Sequence, residues 1–273
     1  MEVVRYLSRG DGYELDGVVV HPGRPRLEDL LDGADVLVCH AGDDGRAAVI
    51  AGTVGVPVVR LVHGTSSRVS LDGAVLVVCN SQSTAKQIGW DGPLVVCRPP
   101  FNPDDFRTTP GDRVTLVNLS AAKGAETFWL AAAALPDVRF LGVRGGYGAQ
   151  VMRSRENVEV VRRPTKDMRG DVYSRTRVLL MPSEFETWGM VGVEAMCSGI
   201  PVIAHPTPGL VESLGCAGAF VDRGDLAGWC REITRLQDPQ EWDAASRVAL
   251  ARSRELAAMD DSTVFAEAIE ALA

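Results

Sequence analysis

Short apolar runs alternate with segments of helix length along most of this chain. The runs are rich in Val, Leu and Ile, and Gly or Pro turns bound many of them. Because strands that alternate with helices form mostly parallel sheets covered by helices, the pattern predicts an α/β fold. The predicted strands are Gly17–Val20, Asp35–Cys39, Val56–Val62, Val75–Cys79, Leu94–Val96, Val114–Asn118, Arg139–Leu141, Asn157–Val161, Val178–Met181, Pro201–Ala204 and Ala219–Val221. The predicted helices are Arg26–Asp32, Gly45–Thr53, Ser81–Ile88, Ala125–Ala134, Gly189–Ser198, Asp225–Leu236, Gln240–Leu256 and Ser262–Leu272.

Composition narrows the class of protein. The chain has 273 residues, 46% of them hydrophobic and 23% charged, which is typical of a globular protein of one or two domains. No apolar run approaches the length of a membrane span, and the first residues do not resemble a signal peptide. The six cysteines lack metal-ligand spacing, and most lie in apolar runs. These features predict a cytoplasmic enzyme or binding protein.

Charge is distributed unevenly. The net charge is −8, yet residues 139–177 carry ten basic and four acidic side chains. Two interpretations of this basic block remain open: a solvated face, or a positive rim facing an anionic ligand. The overall acidity argues against non-specific binding of DNA.

The stretch from Arg177 to Gly215 organises the rest of the chain. It predicts a strand, a polar loop, a helix and a second strand, which together make a βαβ unit. Glu186 lies in the loop and Glu194 in the helix. Open α/β sheets bind ligands at the carboxyl ends of their strands, so this loop is a candidate ligand site. The alternative is an ordinary βαβ unit with two surface glutamates.

This stretch resembles retaining, nucleotide-sugar-dependent glycosyltransferases of the family-4 type. The shared pattern is P-S-x-x-E-x-x-G-x-x-x-x-E-A-x-x-x-G-x-P-V, which residues 182–202 match, and a P-G-L loop follows at 208–210. The resemblance implies a GT-B fold, with two Rossmann-like domains whose parallel sheets face a cleft. We expect an abbreviated first domain over residues 1–107, because no glycine-rich loop follows a first strand. A nucleotide-sugar domain is expected over 108–273, with the last helix packing back on the first.

The segment between the expected domains is rich in proline. Residues 97–106 resemble the crossover segment of the family, and their prolines exclude a regular helix or central strand. Residues 108–112 are predicted to be a linker.

A lysine at the start of a helix is the second candidate feature. Lys123 precedes the predicted helix Ala125–Ala134, where a cation adds to the positive end of the helix and suits a diphosphate. Lys123 and Gly124 match the family pattern G-R-x-x-x-x-K-G, but Asn118 stands at the arginine position. Arg144 lies in a glycine-rich loop after another strand and is the candidate to replace that arginine.

Further roles follow from the resemblance alone. It implies that Glu186 holds donor-sugar hydroxyls, that Glu194 holds ribose hydroxyls, and that the backbone of Gly209 and Leu210 joins Lys123 on the phosphates. The loop 164–168, including Met168, is assigned to the nucleobase. Donor contacts are also expected at the helix start, formed by Gly189, Met190 and Val191.

Histidines end two strands of the predicted first domain. His40 and His63 each follow an apolar run, at the end of a predicted strand, where open α/β sheets bind ligands. A lone histidine is nevertheless more often structural than functional. His63 is the stronger candidate, for positioning the sugar or the phosphate. The predicted catalytic set is therefore Lys123, Glu186 and His63.

The predicted function is transfer of a sugar from a UDP- or GDP-linked donor to a hydroxyl acceptor. The family implies retention at the anomeric carbon, no metal and no cofactor beyond the nucleotide sugar. The acceptor is left open, and a hydroxymethylated base in modified DNA is one candidate. The alternatives are a nucleotide-sugar epimerase or hydrolase, and a partner-dependent, non-catalytic protein. A homo-oligomer or a partner protein completing the short first domain also stays open.

Overall fold

The structure is a computed structural model, and it describes residues 6–8, 13–15, 18–22, 31–41, 46–65, 69–161 and 167–272. The chain divides into two compact units. The first unit comprises Met1–Asn80, Thr84–Cys97 and Ser262–Ala273, and the second comprises Ser81–Ser83 and Arg98–Asp261. The expected boundary at residue 107 differs from this division, in which residues 98–107 belong with the second unit.

The described elements alternate much as the apolar pattern predicts. The strands are β1 Tyr6–Ser8, β2 Tyr13–Leu15, β3 Val18–Pro22, β4 Leu37–His40, β5 Val58–Val62, β6 Ala74–Cys79, β7 Leu94–Val96, β8 Arg113–Val117, β9 Phe140–Val143, β10 Val158–Val161, β11 Thr176–Met181, β12 Val202–Ala204 and β13 Gly218–Phe220. The α-helices are α1 Arg46–Val54, α2 Gln82–Gln87, α3 Pro103–Phe106, α4 Ala125–Ala134, α5 Met168–Asp171, α6 Met190–Met196, α7 Pro208–Leu214, α8 Leu226–Arg235, α9 Pro239–Ala257 and α10 Asp261–Glu270. Short 3-10 turns lie at Ala121–Lys123, Tyr173–Arg175 and Gly215–Ala217.

The second unit is built on a parallel sheet of six strands. Its strand order is β10-β9-β8-β11-β12-β13, and every neighbouring pair is parallel. Counted within this unit, the order is 3-2-1-4-5-6, the arrangement of dinucleotide-binding α/β folds. The order reverses between β8 and β11. Helices α4 and α6, which follow these two strands, pack on opposite faces of the sheet. Ligands of such folds bind at the carboxyl ends of the strands at this point.

Both faces of this sheet are covered, which explains why Val178–Met181 and Val202–Ala204 are continuous apolar runs rather than alternating ones. Successive residues of a strand point to opposite faces. In β11, Val178 and Leu180 pack into one buried cluster with Phe128 and Trp229. Leu179 and Met181 pack into the other cluster, which includes α6.

The first unit contains a second parallel sheet, of order β4-β5-β6-β7. The apolar residues of the last helix recur with helical spacing, and they pack against Val59, Leu76 and Val78 of this sheet. The apolar positions are Phe265, Ala268 and Ile269 in the helix and Leu272 just after it. A small separate sheet of order β1-β3-β2 contains an antiparallel pair, β2 with β3.

Some elements differ from the prediction. Residues 97–106, predicted to form no regular helix or central strand, contain a single helical turn at Pro103–Phe106. Asn102 caps that turn by accepting a hydrogen bond from the Asp104 amide at 3.1 Å, and proline is tolerated at the first helical position. Strands β1 and β2 were not predicted. The predicted helix Arg26–Asp32 lies largely outside the described residues.

Candidate active site at the carboxyl edge of the second sheet

A cavity of about 360 Å³ lies in the second unit, at the carboxyl ends of β8, β9 and β11. It therefore sits at the reversal of strand order, where this fold class binds ligands. Eight of the thirteen predicted site residues line it. They are Asn118, Lys123, Arg144, Met168, Glu186, Gly189, Met190 and Val191.

The two predicted catalytic residues of this unit are in direct contact. Lys123 ends the turn after β8, and its Nζ donates a hydrogen bond to Oε1 of Glu186, which lies in the loop after β11. The same oxygen accepts a hydrogen bond from Ser183 Oγ at 3.1 Å. The side chains of Lys123 and Glu186 are only 21% and 14% exposed. The cavity thus presents a partly desolvated cation beside a carboxylate.

Gly124 allows the loops of β8 and β11 to approach closely. Its φ is +84°, and a Cβ built on it would lie 2.3 Å from Cγ of Pro182. Backbone pairing supports the same contact, because the Glu184 amide donates to the Ala122 carbonyl at 2.8 Å. Gly124 therefore acts through loop packing and does not line the cavity.

Arg223 is a site-supporting residue that the sequence analysis missed. Its guanidinium donates to the Ala121 carbonyl and, at 3.2 Å, to the Glu184 carboxylate. Its own amide donates to Nδ1 of His205 at 3.1 Å. Arg223, which lies shortly after β13, therefore links the loops that follow β8, β11 and β12. An arginine just beyond the last strand is the signal that was available in the sequence.

Asn118, at the position of the family's arginine, has a structural role in a hydrogen-bond network. Its φ is +68°, the only positive value for a non-glycine residue in the described chain, and asparagine tolerates this conformation better than most residues. Its Oδ1 accepts a hydrogen bond from Gln150 Nε2 at 2.8 Å, and Gln150 Oε1 accepts one from the Gly145 amide at 2.9 Å. Asn118 and Gln150 therefore hold the glycine-rich loop against the end of β8.

The amide orientation of Asn118 follows from this network. Gln150 Nε2 also donates to the carbonyls of Tyr147 and Gly148, at 3.0 and 3.1 Å, which fixes it as the nitrogen. Its partner atom on Asn118 must then be the oxygen. Asn118 Nδ2 remains buried without a hydrogen-bond partner among the described residues.

Helix α6 begins against the cavity and carries Glu194 one turn further on. Gly189 precedes it with a φ of +80°, and a Cβ there would lie 2.5 Å from the Leu210 side chain. Glu194 itself does not line the cavity. Its Oε2 accepts a hydrogen bond from the hydroxyl of Tyr173, a second residue that the sequence analysis missed. Burial raises the pKa of Glu194, and the hydrogen bond from Tyr173 acts in the opposite direction.

Gly209 and Leu210 are the two residues predicted to join Lys123 on the phosphates through their backbone. Both lie in the first turn of α7, and Thr207 caps that turn by accepting the Leu210 amide at 3.3 Å. A Cβ on Gly209 would lie 2.4 Å from the Glu186 carbonyl oxygen, so this glycine packs behind the Glu186 loop. Neither residue lines the cavity.

The two predicted histidines lie together in the first unit. His40 ends β4 and His63 follows β5, and their ring centroids are 5.1 Å apart in an edge-to-face arrangement. Burial lowers the pKa of His63, and the neighbouring His40 lowers it further. The sheet order explains this pairing, since β4 and β5 are adjacent and parallel.

The basic block does not form one surface around the cavity. Arg139, Arg153 and Arg175 form ion pairs with Asp112, Glu126 and Glu159 respectively. Arg177 donates to the Leu236 carbonyl at 3.0 Å and packs on the Trp242 ring. Arg144 is the described member that lines the cavity. Residues 162–166, which include most of the expected nucleobase loop, lie outside the described residues.

Within the described residues, no group of three or more His, Cys, Asp or Glu side chains is arranged to hold a metal ion. No helix in the same residues is long and apolar enough to cross a membrane.

Comparison with known proteins supports the resemblance seen in the motif. Residues 114–238 match the model of the family described as Glycosyl transferases group 1. D-inositol 3-phosphate glycosyltransferase from Mycobacterium sp. (strain KMS) is 28% identical over 201 residues, covering 61% of this chain and 45% of that protein. The Streptomyces coelicolor protein of the same name is 32% identical over 134 residues, covering 45% of this chain and 29% of its own length. The chain spans less than half the length of these relatives.

Solved structures extend the fold similarity to nearly the whole chain. Anabaena HepE in complex with UDP-glucose gives a TM-score of 0.74 at 20% identity, covering 94% of this chain and 86% of HepE. Sucrose-phosphate synthase from Thermosynechococcus elongatus gives 0.73 at 18% identity, covering 96% and 86%. The predicted α/β, GT-B-like fold and the resemblance to group 1 glycosyltransferases are therefore confirmed.

Proposed function

We propose that this chain is a glycosyltransferase that moves a sugar from a nucleoside-diphosphate donor to a hydroxyl acceptor. The observation that carries the proposal is the cavity at the β8/β11 reversal, where Lys123, Arg144 and Glu186 lie together. These residues fall within the segment that matches the glycosyltransferase family model. A cavity lined by two cations and a carboxylate suits a ligand that joins a diphosphate to a sugar.

The proposed reaction breaks the bond between the anomeric carbon and the diphosphate oxygen. That electron pair stays on the leaving phosphate, whose growing charge Lys123 and Arg144 stabilise electrostatically. The acceptor oxygen bonds to the anomeric carbon on the same face, and its proton passes to the leaving phosphate oxygen, so configuration is retained. No metal is needed in this scheme, because side chains supply the positive charge.

Glu186 and Glu194 are proposed to hold hydroxyl groups of the donor. Ionised carboxylates accept strong hydrogen bonds, and Glu186 already accepts from Lys123 and Ser183 in the cavity wall. Glu194 follows the cavity-lining start of α6, which suits the ribose of the nucleotide. His63 stays a proposal for the first unit, where it would position the sugar or phosphate.

Uracil is the proposed base, because HepE, a protein of similar fold, is solved with UDP and UDP-glucose. For the acceptor, the names of the relatives favour a phosphorylated cyclitol over a modified nucleic acid. The decisive assay is mass spectrometry of products after UDP- and GDP-sugars are offered with cyclitol phosphates, small alcohols and hydroxymethylated DNA. Release of free sugar at the same rate with and without every acceptor would assign a hydrolase instead.

Nucleotide binding is tested separately with Glu194→Ala and calorimetry of UDP. Each lost hydrogen bond to a charged group costs about 1.5–3 kcal/mol, so affinity should fall by at least tenfold. Glu156→Ala is the matched control, since Glu156 is an exposed glutamate outside the cavity lining. Equal UDP affinity for wild type and Glu194→Ala would remove Glu194 from the site.

A further inference from the structure

We propose that Tyr173 is a positioning residue that orients the Glu194 carboxylate toward the nucleotide ribose. This inference deepens the proposed function and rests on it. Tyr173 belongs to the short turn before β11, and Glu194 belongs to α6, so two separate elements meet at this hydrogen bond.

The tyrosine ring is held in place by its surroundings. Tyr173 is fully buried in the cluster that includes Val193 and Met196 of the glutamate's own helix. The Phe106 ring packs edge-to-face against it, with centroids 6.4 Å apart. A buried aromatic ring has few rotamers available, so its hydroxyl is a fixed donor.

This fixed donor leaves one side of the carboxylate for a ligand. The hydroxyl engages Oε2 of Glu194, and no described residue donates a hydrogen bond to Oε1. A carboxylate offers about four lone-pair sites, so Oε1 and the second lone pair of Oε2 can accept two ribose hydroxyls. A carboxylate that is already oriented loses less rotamer freedom when the nucleotide binds.

The same hydrogen bond favours the ionised carboxylate. Burial raises the pKa of Glu194, and the bond from Tyr173 opposes that rise. The neighbouring thiol of Cys197 stays neutral, because burial, with Glu194 adding to it, raises the pKa of Cys197 to about 11. Arg107 acts on Cys197 in the opposite direction. Among the described residues, Tyr173 is thus the group that counteracts the desolvation of Glu194.

The test compares UDP with 2′,3′-dideoxy-UDP as calorimetric ligands for wild type and Tyr173→Phe. Loss of the hydroxyl should weaken UDP binding about tenfold and leave dideoxy-UDP binding within twofold, because only UDP reaches Glu194 through its ribose hydroxyls. On acidification, Tyr173→Phe should lose UDP affinity at a higher pH than wild type, because the hydrogen bond that lowers the pKa of Glu194 is gone. Tyr13→Phe, at an exposed tyrosine of the first unit, is the control and should match wild type.

A second comparison separates positioning from general structure. In the Glu194→Gln background, Tyr173→Phe should change UDP affinity by less than twofold, because the residue through which it acts is altered. Equal weakening of UDP and dideoxy-UDP, or no weakening of UDP, would overturn the inference while leaving the proposed function intact. Absence of UDP binding by wild type would overturn both.

Should Tyr173→Phe fail to fold, 3-fluorotyrosine at position 173 keeps the ring and gives a more acidic donor. UDP affinity should then persist to lower pH, and an unchanged profile would count against the inference.

Discussion

Replacing Gly124 with alanine tests the claim that the loops after β8 and β11 must touch. The backbone at Gly124 has a φ of +84°, which costs a residue with a Cβ about 1–2 kcal/mol. The new methyl carbon would lie 2.3 Å from Pro182 Cγ and 2.6 Å from the Pro182 carbonyl oxygen. Overpacking of this kind typically costs a further 1–3 kcal/mol, roughly. Gly124→Ala should therefore lower the free energy of unfolding by about 2–5 kcal/mol in total.

Gly55→Ala is the matched control, because it separates the backbone cost from the collision. Gly55 has a similar φ of +76°, and no atom lies within 4 Å of its ideal Cβ position. Its substitution should lower the free energy of unfolding by only about 1–2 kcal/mol. Urea denaturation followed by far-ultraviolet circular dichroism measures both variants against wild type.

The steric clash at Gly124 should also change the position of side chains that line the cavity. Pro182 is followed directly by Ser183, which donates to Glu186 at 3.1 Å, so displacement of this loop moves the carboxylate beside Lys123. Gly124→Ala should then weaken UDP binding in calorimetry, and Gly55→Ala should leave it unchanged. Equal losses of stability in the two variants, with UDP affinity intact in both, would show that the loops are not in contact.

Three other predictions follow from the same site. Lys123→Ala should lower kcat by on the order of 10²–10³ and more than it raises KM, while Lys86→Ala at an exposed lysine should have no effect. Single-turnover rates test this, and a near-normal rate for Lys123→Ala beside a collapsed rate for Arg144→Ala would transfer the role to Arg144. Asn118→Arg should destabilise the protein in urea denaturation rather than restore a cation, because an ideal Cβ on Gly145 would already lie 2.2 Å from Asn118 Cγ. Turnover should survive EDTA, and loss that Mn²⁺ reverses would contradict the proposed charge stabilisation by side chains.

The local pattern predicted much of the fold. Helix Ala125–Ala134 and strand Leu94–Val96 have the bounds expected from the sequence, because periodicity and bounding turns are properties of neighbouring residues. The single turn at Pro103–Phe106 has a local cause as well. Proline excludes a helix interior, but it suits the first helical position, and Asn102 caps the turn.

The sequence predicted the site residues that belong to a motif. It did not predict the residues whose roles depend on tertiary packing alone. The motif placed Glu186 and the start of α6 at the cavity, as observed. Tyr173, Gln150 and Arg223 belong to no such pattern, and each acts on a residue at least 18 positions away in the chain. Their roles depend on which strands are neighbours, and periodicity carries no information about that.

The sequence by itself determined the alternation of strands and helices, the glycosyltransferase-like motif and the presence of a lysine at a helix start. Only the tertiary structure decided that β8 and β11 are neighbours, although 63 positions separate Lys123 from Glu186. It also decided that Arg139, Arg153 and Arg175 of the basic block form ion pairs elsewhere, whereas Arg144 lines the cavity. The physical reason is that strand order and side-chain pairing minimise the free energy of the whole packed unit, whereas apolar periodicity reflects the burial of one element at a time.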